Sequence, residues 1–147
     1  MGRPLLDVEG QPPSRRVGIR PLFPAILGNM ATVLCIDDEP SAIQTRRLLL
    51  EAEGYQVIDA LTGEEGIRLF QSSKIDLVVV DYWMSGMNGL AVAREIKRLD
   101  PAMPVIMLSG LPELPGEAVG IADRWILKGR STEALLEALS ALAQNHH

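Results

Sequence analysis

From Ala31 onward, short apolar runs alternate with segments of helical period, and this repeat restricts the fold more than any other feature of the chain. Strands are expected at Thr32–Ile36, 55–60, 75–80, 104–108 and Arg124–Leu127. Helices are expected at 40–53, 62–71, Gly89–Leu99 and 131–143. The punctuation agrees with these assignments. Pro40 suits a first helical turn and Gly54 a helix stop. Thr62-Gly63-Glu64-Glu65 has the form of a capping box, Asp100-Pro101 closes the third helix, and Ser131 is placed to cap the last. A strand followed by a helix and a further strand needs a crossover, and crossovers give parallel pairing with helices on both faces. The expected architecture is α/β, a doubly wound five-stranded parallel sheet.

In a parallel sheet the carboxyl ends of the strands share one edge, where open α/β sheets place their sites. The expected strand ends are chemically distinctive. The first runs into Asp37, Asp38 and Glu39, the third into Asp81, the fourth into Ser109 and the fifth into Lys128. Like charges this close repel and resist leaving water, so the run "VLCIDDEP" demands a compensating charge. Asp37, Asp38 and Asp81 are hard oxygen ligands of the kind that suits Mg2+. Lys128 adds a point charge and Ser109 a donor hydroxyl. A carboxylate surrounded by a cation site, an ammonium and a hydroxyl has what phosphoryl transfer onto that carboxylate requires.

The four motifs resemble those of the response-regulator receiver domains of two-component signalling, over residues 31–143. "LCIDDEP" resembles the paired acidic motif, "LVVVDYWMSGMNGL" the segment around the phosphoacceptor, "VIMLSG" the strand that ends in a hydroxyl, and "DRWILKG" the strand that ends in the lysine. The resemblance implies a (βα)5 flavodoxin-like fold, dependence on Mg2+, and phosphorylation by a histidine kinase or a histidine phosphotransfer protein. It makes Asp81 the phosphoacceptor. It makes Asp38 and Asp81 direct metal ligands, Asp37 a ligand through water, and the backbone carbonyl of Trp83 a further ligand. Ser109, Lys128 and the Gly110 amide would contact the phosphoryl group, and Trp125 stands where the family has an aromatic switch residue. Glu39 is expected to be a solvated loop residue that ligates nothing.

The sequence also departs from the family pattern. Ser85 and Gly129 replace prolines that usually follow the acceptor loop's methionine and the lysine. Residues 110–122, "GLPELPGEAVGIA", are too rich in proline and glycine for a regular fourth helix, so a short or irregular one is expected. That places the family's usual output face in doubt.

Composition limits the remaining choices. Residues 1–29 carry five prolines and four arginines against two acids, with no helical or alternating period, and read as a flexible extension ahead of a receiver domain at 30–144 and a tail at 145–147. The single cysteine, Cys35, excludes a disulfide framework, suits a reducing cytoplasm and reads as a small buried hydrophobe. A net charge of −5 gives no reason to expect direct nucleic-acid binding, and no apolar run is long enough for a membrane span. The expectation is therefore a cytoplasmic single-domain response regulator, not an enzyme in the ordinary sense, signalling to a downstream protein that the sequence does not name. Two alternatives stand beside it. One is a receiver-shaped scaffold that takes no phosphate. The other is an aspartate-nucleophile phosphatase of the haloacid dehalogenase type, which "IDDE" does not favour because it lacks the Asp-x-Asp pair.

Overall fold

The computed structural model describes residues 31–110, 116–118, 120–129 and 132–146. The expected extension at 1–29, the Ser131 cap and residues 111–115 and 119 of the proline- and glycine-rich run at 110–122 lie outside these residues. Five strands form one parallel sheet: β1 (Thr32–Ile36), β2 (Gln56–Ala60), β3 (Leu77–Asp81), β4 (Val105–Ser109) and β5 (Arg124–Leu127), in the order β2-β1-β3-β4-β5. Four α-helices are described: α1 (Pro40–Ala52), α2 (Gly63–Ser72), α3 (Gly89–Leu99) and α4 (Thr132–His146). Among the described residues of the crossover between β4 and β5, Gly116–Ala118 form a 3-10 turn. The α/β doubly wound sheet and the irregular fourth crossover are as the sequence implies. The last helix continues past its expected end to His146, into the expected tail.

The sheet is covered on both faces. Val33 and Cys35 of β1 enter one apolar cluster with Ile43 and Leu50 of α1 and Leu135 and Leu139 of α4. Leu34 and Ile36 enter the opposite cluster with Leu90, Val92 and Ile96 of α3. Alternate residues point to opposite faces, so a strand buried on both sides must be apolar at every position. That is why "VLCI" and "LVVV" are continuous runs. Burial of this kind also inactivates Cys35, whose thiol is pushed up to about 12 by desolvation.

Local chemistry sets the element ends. Thr62 caps α2 by accepting from the Glu65 amide at 3.0 Å, and Glu65 Oε1 accepts from the Leu61 amide at 3.1 Å. The capping box thus reaches back one residue further than the usual reciprocal pair. Asn88 caps α3 by accepting from the Ala91 amide at 2.9 Å. Gly54 ends α1 at φ 96°, a left-handed conformation that glycine adopts without steric cost. On the edge remote from the acidic strand ends, Lys97 Nζ donates to Met103 O and to Asp123 Oδ2, both at 2.7 Å. Asp123 Oδ2 also accepts from the Val105 amide at 2.8 Å. These bonds join the end of α3, the start of β4 and the approach to β5.

Candidate functional site

The strand order reverses direction between β1 and β3, which opens a crevice beyond their carboxyl ends. Asp37 follows β1 and Asp81 is the last residue of β3, so the crevice has a carboxylate on each side. One carboxylate oxygen from each of Asp37, Asp38 and Asp81 lies within 4.8 Å of the others. Asp37 and Asp81 are 0% and 3% exposed, and Asp38 faces solvent. Glu39 is also exposed and lies outside this trio. Its amide donates to Asp37 Oδ1 at 3.0 Å, and it is the N-cap residue of α1.

Lys128 leaves the end of β5 and reaches across the crevice. Its Nζ lies 3.1 Å from Asp81 Oδ2 and 3.7 Å from Asp37 Oδ2. Ser109 is fully buried at the end of β4, pairs in register with Leu127, and its carbonyl accepts from the Lys128 amide at 2.6 Å. Gly110 follows it at the surface. The expected acidic trio, hydroxyl and lysine therefore meet on one edge. Gly129 holds φ 92° directly after the lysine, so glycine supplies a left-handed turn there, and no cis peptide occurs among the described residues.

The electrostatics are unequal. Burial, then the neighbouring charge of Asp37, push the Asp81 carboxyl above its ordinary value, and Lys128 opposes them. Asp81 Oδ1 is buried with no hydrogen-bond partner. The Asp38 carboxyl is held below the usual range, chiefly by the Ser85 amide, which donates to Oδ2 at 2.9 Å while the Ser85 hydroxyl donates at 3.2 Å. Proline at position 85 could supply neither donor. An orphaned buried carboxylate oxygen facing two further carboxylates is a donor set that a small hard cation satisfies, so the residues present fit Mg2+.

The aromatic residues Trp83, Tyr82 and Trp125 form a chain beside Asp81. Trp83 is 61% exposed and meets Tyr82 edge-on, with ring centroids 5.2 Å apart. Tyr82 in turn lies 5.6 Å from Trp125. Trp125 is half-buried against the α3 side of the sheet, and its indole Nε1 is buried without a partner.

One charged residue of the site escapes the strand-end reading. Arg46 Nη1 lies 3.3 Å from Asp37 Oδ2, with its side chain 11% exposed. It falls on α1 between Ile43 and Leu50, the buried residues of that helix. A cation in the apolar stripe of a helix signals an anion inside, and that spacing was available in the sequence.

Known proteins share this sequence pattern and this fold. The profile of the response regulator receiver domain matches residues 33–140. The transcriptional regulatory protein GlrR of Escherichia coli is 35% identical over 120 residues, covering 78% of this chain and 27% of GlrR. YvrH of Bacillus subtilis, also a transcriptional regulatory protein, is 37% identical over 103 residues, covering 67% of this chain and 43% of YvrH. The chain thus spans between about a quarter and a half of the length of the first curated relatives it matches. Among solved structures, the response regulator TrrA of Thermotoga maritima in complex with Mg2+ and BeF is 32% identical, with a TM-score of 0.73 over 77% of this chain and 99% of TrrA. The complex of the histidine kinase ThkA with TrrA is similar at 32% identity, with a TM-score of 0.72 over 77% of this chain and 98% of the matched chain.

Proposed function

This chain belongs to the response regulator receiver family, and on that premise we propose that Asp81 accepts a phosphoryl group in a Mg2+-dependent reaction. One observation carries the assignment. Lys128 Nζ sits 3.1 Å from one Asp81 oxygen while the other is buried and unpartnered among carboxylates. In this reading an Asp81 carboxylate oxygen attacks phosphorus. The new O–P bond forms as the bond from phosphorus to the donor's imidazole nitrogen breaks, and the nitrogen keeps the electron pair. Lys128 offsets charge on the phosphoryl oxygens, and the Ser109 hydroxyl and Gly110 amide donate to them. Asp38, Asp81 and the Trp83 carbonyl would hold Mg2+ directly and Asp37 through water, and the bound ion would neutralise charge on the transferring group.

The donor in this reading is a histidine kinase or a histidine phosphotransfer protein. The kinase complex of TrrA supports that choice. Residues 30–144 act as the receiver unit, with 1–29 as an extension, and the phosphorylated form signals through a downstream protein. No helix among the described residues is long and apolar enough to cross a membrane, and in this reading the chain acts in the cytoplasm.

The test is labelling with acetyl phosphate and Mg2+. Wild type should take up an alkali-labile label and Asp81→Asn none. Unchanged stoichiometry in Asp81→Asn would remove Asp81 from the role. In a companion titration, Asp38→Ala should weaken Mg2+ binding sharply and Glu39→Ala little, and the reverse order would remove Asp38 as the metal ligand.

A further inference from the structure

We propose that Arg46 is a built-in counter-ion that limits how tightly the carboxylate trio binds a divalent cation. The proposal rests on reading that trio as the metal site, and adds a residue that no strand end supplies. Arg46 Nη1 contacts Asp37 Oδ2, the same oxygen that Lys128 approaches from the opposite strand at 3.7 Å. Three carboxylates therefore already face two protein cations before any metal arrives. Each cation relieves the mutual repulsion of Asp37 and Asp81 and would hold the carboxylates together without a metal. Each also repels an incoming Mg2+ and occupies a lone pair that the ion or its water would use.

The two cations differ in what else ties them down. Lys128 is held against Asp81 as well as Asp37. For Arg46 the only ion pair in the described structure is with Asp37. Its neighbour Arg47 points elsewhere, to Asp59 and Glu51. Arg46 and Lys128 also line a cleft of about 460 Å³ whose walls include Thr45, Leu49, Ile126 and Leu135. The guanidinium thus has space beside it into which it can withdraw from Asp37 when a metal takes over the charge balance. Its role is to trade stability of the metal-free protein against metal affinity, and those two quantities should move in opposite directions when its charge is removed.

The test is Mg2+ titration by calorimetry and thermal unfolding with and without EDTA, on wild type, Arg46→Met, Arg46→Gln and Arg46→Lys. Arg46→Met removes the charge and keeps much of the bulk, Arg46→Gln keeps a donor without the charge, and Arg46→Lys keeps the charge. The neutral variants should bind Mg2+ several-fold to about tenfold more tightly, as expected for losing one nearby positive charge in a solvent-screened crevice. Their metal-free Tm should fall, and Arg46→Lys should stay close to wild type in Mg2+ affinity. A purely structural role would lower Tm and leave Mg2+ binding equal or weaker, and that result in folded Arg46→Gln overturns the proposal even if Arg46→Met does not fold. Equal tightening in Arg46→Lys would also overturn it, because charge would not be the cause. If wild type binds no Mg2+ at millimolar concentration, the metal site itself is wrong and this inference falls with it. If wild type binds and the variants do not differ from it, only this inference falls.

Discussion

The centre of the sheet and its β5 margin are built to different standards. In the centre, β3 and β4 are buried at all five positions and β1 at four of five, with helices against both faces. At the margin, β5 has no fully buried residue, and the described part of its crossover from β4 holds a 3-10 turn whose Ala118 is buried. The carboxylates stand on the first region, and Lys128 and Trp125 on the second. The difference teaches where accuracy is required. In the proposed reaction, the groups that would hold a cation and receive a phosphoryl group sit on strands that cannot shift without opening the core. The groups proposed to respond to new charge sit on the strand with the fewest constraints.

The strongest way to break this comparison is to strain the centre. A Cβ at Gly89 would collide with the backbone carbonyl oxygen of Asp81 and come within 2.8 Å of Tyr82 Cα. Neither atom can yield without moving Asp81. Gly89→Ala should cost about 1–3 kcal/mol, an overpacking penalty, and lower the labelling of Asp81 together with Tm. Normal labelling at a wild-type Tm would show that the centre is softer than its packing implies.

A second test uses the electrostatic strain on Asp81. Its carboxyl is raised above the ordinary value in the folded protein, so between the unfolded and folded values the native state binds more protons than the unfolded state. Stability from this group is therefore fully present below the ordinary aspartate range. It is lost as pH rises through the raised folded value. Asp81→Asn should raise Tm at neutral pH in EDTA, and the gain should shrink as the pH falls toward 3.8. A gain independent of pH would assign the effect to packing and not to charge.

The margin is probed more gently by its tryptophans. Mg2+ should perturb Trp83 emission, and a beryllofluoride mimic of the phosphoryl group should perturb both Trp83 and Trp125. The readout is fluorescence of Trp125→Phe and Trp83→Phe through both additions. Silence from Trp125 in Trp83→Phe, with Asp81 occupied by the mimic, would make Trp125 a filler of the gap between sheet and crossover. The smallest effect is expected at Gly116, where an added Cβ meets nothing within 4 Å. Gly116→Ala should stay within about 0.5 kcal/mol of wild type by denaturant unfolding, and a cost like that of Gly89→Ala would erase the contrast between the regions.

Much of the centre was legible in the sequence. A doubly buried strand must be apolar throughout, and a parallel sheet gathers its strand ends, so Asp37, Asp38, Asp81, Ser109 and Lys128 could be placed together without coordinates. The prolines and glycines of 110–122 likewise announced an irregular crossover. Arg46 and Ser85 were not read as parts of the site, for different reasons. Arg46 comes from a helix face, and its partner becomes visible only when α1 is laid against β1, although its place between Ile43 and Leu50 was a warning. Ser85 appeared as a missing proline. Its two donors to Asp38 depend on how the loop after β3 folds back over the loop after β1, which local preference does not specify.

The Lys97–Asp123 junction has a consequence for what can be exchanged in this protein. It fixes the approach to β5 at the edge remote from the carboxylates, through bonds to Met103, Asp123 and the start of β4. At the other edge, the Lys128 amide is tied to Ser109. The chain that leaves β4 after Ser109 and returns at Asp123 is therefore a cassette between two anchored ends. Exchange of the sequence after Gly110 should leave both anchors in place, provided that a small apolar plug remains where Ala118 sits. Sequence in that insert can then vary while Asp81, Ser109, Gly110 and Lys128 keep their places.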